Sequence, residues 1–218
     1  NQMKILDFAH ENDVVGFSEE PFILSSGRKS HWYANWRKIT EDLQKTEDLS
    51  DLIIDFSLKK IGDFSGFVGV PEGATKIGIV THYRWAAEYS ERKVDYFPMI
   101  RAVPKEHGDP RDRYFLGSPQ DRVIVIEDVT TTAESLFGRC MQLHEAHVQN
   151  IRAISLTDRS GSEARERLSS INVPFYSLTT ALELVPLAYQ KLQPGERIGK
   201  LVEKEFEEQG LGKISLVR

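Results

Sequence analysis

The chain has 218 residues, 40% of them hydrophobic, and a formal net charge of −5. This composition fits one globular domain with a core of its own and excludes disordered and fibrous classes. The lone cysteine, Cys140, excludes an internal disulfide and suits a reducing cytoplasm. The acidic balance argues against general attraction to nucleic acid or an anionic membrane, and no apolar run approaches the ~20 residues of a spanning helix.

In chain order, residues 1–45 offer a helix carrying Ile5, Phe8 and Ala9 and then a polar, aromatic segment. The opening run, NQMKILDFAHEND, is punctuated by charges and does not read as a signal peptide. Leu49, Leu52, Ile53 and Phe56 recur at helical spacing, and FSGFVGV (64–70) reads as a strand entering a glycine loop. Ile77, Val80 and Arg84 begin another helix, DYFPMI (95–100) is a second strand, and RVIVIE (122–127) a third. Leu136, Cys140 and Leu143 then form an apolar helical face, NIRAISLT (150–157) a fourth strand, and Ala164, Leu168 and Ile171 another helix. PFYSLT (174–179) is the fifth strand, and residues 181–209 are helical with a break at Pro194-Gly195.

Short apolar strands alternating with amphipathic helices predict an α/β fold: a parallel five-stranded, Rossmann-like sheet covered on both faces. Neither end is long enough for a core of its own. One domain over 1–218 is therefore expected, with residues 1–45 as a cap or hood, 46–180 as the α/β core and 181–218 as a C-terminal helical segment.

Ligands of such sheets sit beyond the carboxyl ends of the strands, which directs attention to the loops after residues 70, 100, 127 and 157. The third of these, in VIVIEDVTTTAES (123–135), is the most specific. Glu127 and Asp128 can accept hydrogen bonds from sugar hydroxyls or face a cation. Thr130, Thr131, Thr132 and Ser135 offer hydroxyls beside a helix N-terminus suited to an anion. Thr131-x-x-Glu134 also has the spacing of a capping box, so the same residues are open to a purely structural reading. The histidines at 10, 31, 82, 144 and 147 share no metal-ligand spacing and read as structural or surface residues, and Trp32 and Trp36 as packing.

The run V-I-V-I-E-D-V-T-T-T-x-x-S resembles the phosphoribosyl diphosphate (PRPP) signature of type I phosphoribosyltransferases. FILSSGRKSHWY (22–33), GVPEGATKIG (69–78), RAVPKEHGD (101–109) and the Asp158-Arg159 pair are similar, in order, to further segments of orotate phosphoribosyltransferases. The resemblance covers roughly two thirds of the chain. It implies an enzyme of pyrimidine nucleotide synthesis that transfers ribose 5-phosphate from PRPP to orotate, giving orotidine 5'-monophosphate and pyrophosphate.

It also implies residue roles. Glu127 and Asp128 would hold the ribose, and Thr130, Thr131, Thr132 and Ser135 the 5-phosphate. Gly69, Glu72 and Gly73 would form the pyrophosphate loop, with Lys76 either contributing or solvated. Arg101, Lys105 and His107 would form a mobile catalytic loop that reaches a neighbouring subunit, making the protein a homodimer. Arg159, Tyr33, Arg28 and Lys29 would contact or cover orotate. Mg²⁺ would arrive bound to PRPP, with Asp128 the one side chain that could meet it.

The chain departs from the pattern at three places. Ala102 and Ser25 stand where many or some members carry lysine, and Ala133-Glu134 where glycine and a small or hydroxylic residue are usual. A positive φ at position 133 would disfavour alanine, and a carboxylate at 134 near a phosphate would repel it unless it faces solvent. These departures keep two other readings in view: a phosphoribosyltransferase for another base, and a non-catalytic regulatory protein that binds PRPP or a nucleotide.

Overall fold

The computed structural model describes residues 2–91 and 93–217. Helix α1 (Gln2–Glu11) leads into strands β1 (Val15–Ile23) and β2 (Lys29–Ala34), then helix α2 (Leu43–Lys60). Strand β3 (Gly66–Gly69) and helix α3 (Thr75–Arg84) follow. Next come β4 (Met99–Ile100), a short helix α4 (Pro110–Tyr114) and β5 (Phe115–Leu116). The remaining elements are β6 (Val123–Thr130), α5 (Glu134–Glu145), β7 (Arg152–Asp158), α6 (Glu163–Ser169), β8 (Phe175–Thr180), α7 (Ala181–Leu192) and α8 (Glu196–Glu208).

The central sheet is parallel, in the order β3-β6-β7-β8. Its strands are buried on both faces, and the period of two sorts their side chains. Phe67, Ile124, Ile126, Ile154, Leu156 and Leu178 belong to one buried cluster, with residues of α1, α2, α7 and α8. Val68, Val123, Val125, Ala153 and Phe175 belong to the other, with Leu136, Cys140 and Leu143 of α5.

The expected second strand, over 95–100, is reduced to Met99–Ile100, which pairs antiparallel with Phe115–Leu116 as a separate ribbon and leaves four strands in the central sheet. Pro98 has no N–H to give a ladder and confines extended structure to the two residues after it. The helices otherwise fall where the periodicity places them. The segment read only as polar and aromatic is an antiparallel hairpin, β1 with β2, closed by a turn in which Gly27 takes φ +79°. Its strands are largely exposed on one side, so alternation is weak there.

The C-terminal helices complete this end of the molecule: α8 packs on β2, and α7 on α1 and β1. Helix α7 starts with a true capping box, in which Thr180 and Glu183 exchange side-chain and backbone hydrogen bonds. Pro194 and Gly195, after a left-handed Gln193, separate it from α8. No helix among the described residues is long and apolar enough to cross a membrane.

Candidate active site

A cleft of about 480 Å³ opens at the carboxyl ends of β3, β6 and β7, where the topology of an open parallel sheet puts a ligand. Glu72 and Gly73 line it from the loop after β3, Glu127 to Val129, Thr131 and Ser135 from the run after β6, and Arg159 from the turn after β7. Tyr33, Asn35 and Arg37 close it from the hairpin side. A larger hollow of about 590 Å³ lies at the opposite, amino ends of β3 and β6 and holds none of the expected residues.

The acidic pair has two distinct environments. Glu127 is 7% exposed, and burial pushes its carboxyl up to about 8; the hydroxyl of Thr130, donating to Oε2 at 2.8 Å, opposes that shift, and Asp128 adds to it. Burial thus favours the protonated form of Glu127 in the ligand-free protein. Asp128 accepts from the Val129 N–H at 3.0 Å and from Arg37 Nε at 3.2 Å. Arg37 was not singled out in the sequence because the tryptophans beside it drew a packing reading for the segment. Gly73 lets the loop after β3 lie directly on this carboxylate: a Cβ there would stand 2.3 Å from Asp128 Oδ2.

A nook of about 50 Å³ beside the cleft is lined by Ser25, Ser26, Thr131, Thr132, Ala133, Glu134 and Ser135. It sits at the N-terminus of α5, which has no side-chain cap. The structural alternative, a capping box between Thr131 and Glu134, does not form. Ala133 adopts φ +56°, ψ +18°, a left-handed conformation that ends the helical run, so the helix begins at Glu134. No side chain caps the first amides of α5, and the Ser26 hydroxyl beside them is buried without a partner, an arrangement suited to an anion. Glu134 is exposed, and Thr130 is turned into the core against Glu127, outside this nook.

The other end of the cleft is formed by Arg159, 1% exposed. Its guanidinium carbon lies 3.9 Å from the centre of the Trp32 ring, and Nη2 donates to Glu205 Oε1 at 3.0 Å and to Ser30 Oγ at 2.9 Å. Burial lowers its pKa to about 10, with Glu205 acting in the opposite sense, so it remains charged at neutral pH. Tyr33 lies in the cleft wall, edge-on to Phe22. Arg28 instead pairs with Glu163 of α6 at 2.8 Å, and Lys29 is exposed at the start of β2; neither lines the cleft.

Other expected residues also lie apart from it. Gly69 serves the crossing of β3 and α3, because a Cβ there would stand 1.8 Å from the Ala74 carbonyl oxygen. Lys76 Nζ donates to the Thr40 carbonyl at 3.1 Å. Arg101 is tied to its own loop, Nε donating to the carbonyls of Asp112 (3.2 Å) and Phe115 (3.3 Å). Lys105 and His107 are exposed, and none of these three residues lines the cleft of its own chain.

No protein-family model matches the chain. An orotate phosphoribosyltransferase of Bradyrhizobium sp. (strain BTAi1 / ATCC BAA-1182) is 30% identical over 178 residues, covering 78% of this chain and 90% of that protein. The chain belongs to the orotate phosphoribosyltransferase family. Its fold agrees: the orotate phosphoribosyltransferase of Francisella tularensis matches with a TM-score of 0.66 at 18% identity, over 95% of this chain and 96% of that one. The Mycobacterium tuberculosis orotate phosphoribosyltransferase, solved in complex with PRPP, matches with a TM-score of 0.56 at 16% identity, over 84% of this chain and 90% of that one. The nook adjoins the cleft that the acidic pair and the buried arginine line.

Proposed function

We propose that this chain transfers the ribose 5-phosphate of PRPP to orotate, releasing orotidine 5'-monophosphate and pyrophosphate, with a catalytic loop exchanged between two copies of the chain. One observation carries the reading: a single cleft joins an uncapped helix N-terminus and the acidic pair to a buried arginine at its far wall.

The amides of α5, with Thr131, Thr132, Ser135 and Ser26, hold the 5-phosphate. Glu127 and Asp128 orient the ribose through its hydroxyls, and burial of Glu127, which favours its protonated form, lessens the negative charge PRPP meets on entry. Arg159 takes the carboxylate of orotate, while Tyr33 flanks the base. The bond from the anomeric carbon to pyrophosphate then breaks as the bond to the ring nitrogen forms. Donors are needed where negative charge grows on the leaving group. Gly73 and the loop around it bring backbone to that group, and from the partner copy the exposed Lys105 supplies a cation and His107 charge or a proton.

Among the described residues no cluster of three acidic, histidine or cysteine side chains could cage a metal ion. The arrangement nonetheless fits Mg²⁺ carried by the diphosphate, with Asp128 as its side-chain contact, since Mg²⁺ commonly binds through one carboxylate plus substrate phosphates. Bound there, the ion would neutralise charge on the departing pyrophosphate.

The test follows orotate absorbance with PRPP and Mg²⁺, uracil and hypoxanthine running in parallel. Turnover of orotate is expected; turnover of another base instead, or of none, overturns the reading. Loop exchange is tested by mixing. Lys105→Ala and Arg159→Ala proteins, each nearly inactive, should regain roughly a quarter of wild-type activity when subunits are reassorted, because half the dimers then hold one intact site of two. Mixtures that stay inactive would assign Lys105 to its own chain's cleft.

A further inference from the structure

Helix α8 lies outside every motif that marks the site, yet it delivers a carboxylate to it. Its buried stripe is Ile198, Gly199, Val202, Glu205 and Phe206, so one position of an otherwise apolar face is a glutamate, 6% exposed. Glu205 Oε1 accepts from Arg159 Nη2 at 3.0 Å, and Oε2 accepts from the His31 backbone N–H at 2.8 Å. The Ser30 hydroxyl lies 2.6 Å from both Glu205 Oε1 and the Trp32 carbonyl and can donate to either. With the indole of Trp32 stacked at 3.9 Å, the guanidinium is held on one edge and one face. Its Nε is buried without a hydrogen-bond partner, and the residue lines the cleft.

Stability alone is a weak reason for such a pair, because well-packed apolar residues often serve a core as well as a buried ion pair does. The orphaned Nε supplies the other reason. A donor left buried and unsatisfied is costly, and a ligand acceptor entering the cleft would satisfy it. We infer that Glu205 is a positioning residue for base recognition: with Ser30 and Trp32 it locks Arg159 so that the guanidinium presents a free donor to the carboxylate of the incoming base. The inference rests on the assignment of Arg159 to orotate. It extends the base site to the C-terminal helix and makes recognition depend on how that helix sits on β2.

The experiment uses Glu205→Gln and the milder Ser30→Ala in the full chain, with orotate and uracil as bases. For Glu205→Gln, the KM for orotate should rise at least about tenfold, a loss near 1.4 kcal/mol, while the KM for PRPP changes less than about twofold. The preference for orotate over uracil should fall by a similar factor, since the lost contact is the one the carboxylate makes. Ser30→Ala should move the same quantities in the same direction, about threefold, and decides the matter if Glu205→Gln does not fold. Unchanged preference with both KM values and thermal stability shifted would leave Glu205 a purely structural residue and overturn the inference. A rise in orotate preference would overturn it as well, by making Glu205 a charge that opposes the anion. If wild type does not turn over orotate at all, it is the proposed function that fails, which keeps the two failures distinct.

Discussion

The two ends of the cleft are built by opposite means. The end proposed for phosphate comes mainly from one contiguous run, residues 127–135, joined by Ser26 of the hairpin turn; its helix N-terminus has no side-chain cap, and burial pushes its acid Glu127 toward the protonated form. The base end is assembled from three distant segments: Ser30 to Trp32 on β2, Arg159 after β7 and Glu205 on α8. The first leaves donors open for a ligand; the second has filled most of its hydrogen bonds in advance. A local loop can bind an anion with little tertiary support, whereas a buried guanidinium needs the whole hood to hold it.

Removing the arginine should separate the two ends most sharply. Arg159→Ala leaves Glu205 as an uncompensated buried charge and is expected to cost about 3–5 kcal/mol of folding stability, read as a lowered urea midpoint. Orotate kcat/KM should fall at least about a hundredfold, while PRPP affinity by calorimetry stays within about threefold. A parallel loss of PRPP affinity would show that the ends are coupled and break the comparison.

The same contrast explains what could be read from the chain beforehand. The apolar strands, the helices and the motif at 123–135 were legible because periodicity and adjacency carry them. Even the difficulty at Ala133 was legible, and its φ of +56° bears it out. The capping box had to stay an open alternative for the same residue, since nothing in T-x-x-E alone decides whether a left-handed residue lies between. Glu205 was invisible: it sits 46 residues from Arg159, and its helix reads as a charged amphipathic surface. Arg28 and Lys29 show the reverse, a basic pair inside a family-like segment that the fold turns away from the cleft. The two-residue β4 shows how a single proline defeats an otherwise apolar strand.

Glu127 sharpens the phosphate end through pH. In the folded, ligand-free chain its carboxyl titrates at about 8, against an ordinary value of 4.5 when unfolded. Between those values the native state carries a proton that the unfolded state has released, so stability is fullest below 4.5 and is lost as pH rises toward 8. Glu127→Gln removes that titration and should gain on wild type by about 1–3 kcal/mol between pH 5 and 8 in urea unfolding without PRPP. Equal slopes of stability against pH would mean that Glu127 is ionised in the native state.

The smallest effect belongs to Glu134, and its sign differs between folding and binding. As the first residue of α5, with an exposed side chain, its carboxylate favours the positive end of the helix dipole, a contribution of about 0.3–1 kcal/mol to stability. The same carboxylate borders the anion nook, where it repels a phosphate. Glu134→Gln should therefore lower stability by about 0.5 kcal/mol while tightening PRPP about threefold at low ionic strength. Exposure makes both effects screenable, so the gain in affinity should shrink toward unity in ~0.5 M salt. Were the gain to persist at high salt, the glutamate would be touching the phosphate site directly rather than acting through the field at its rim.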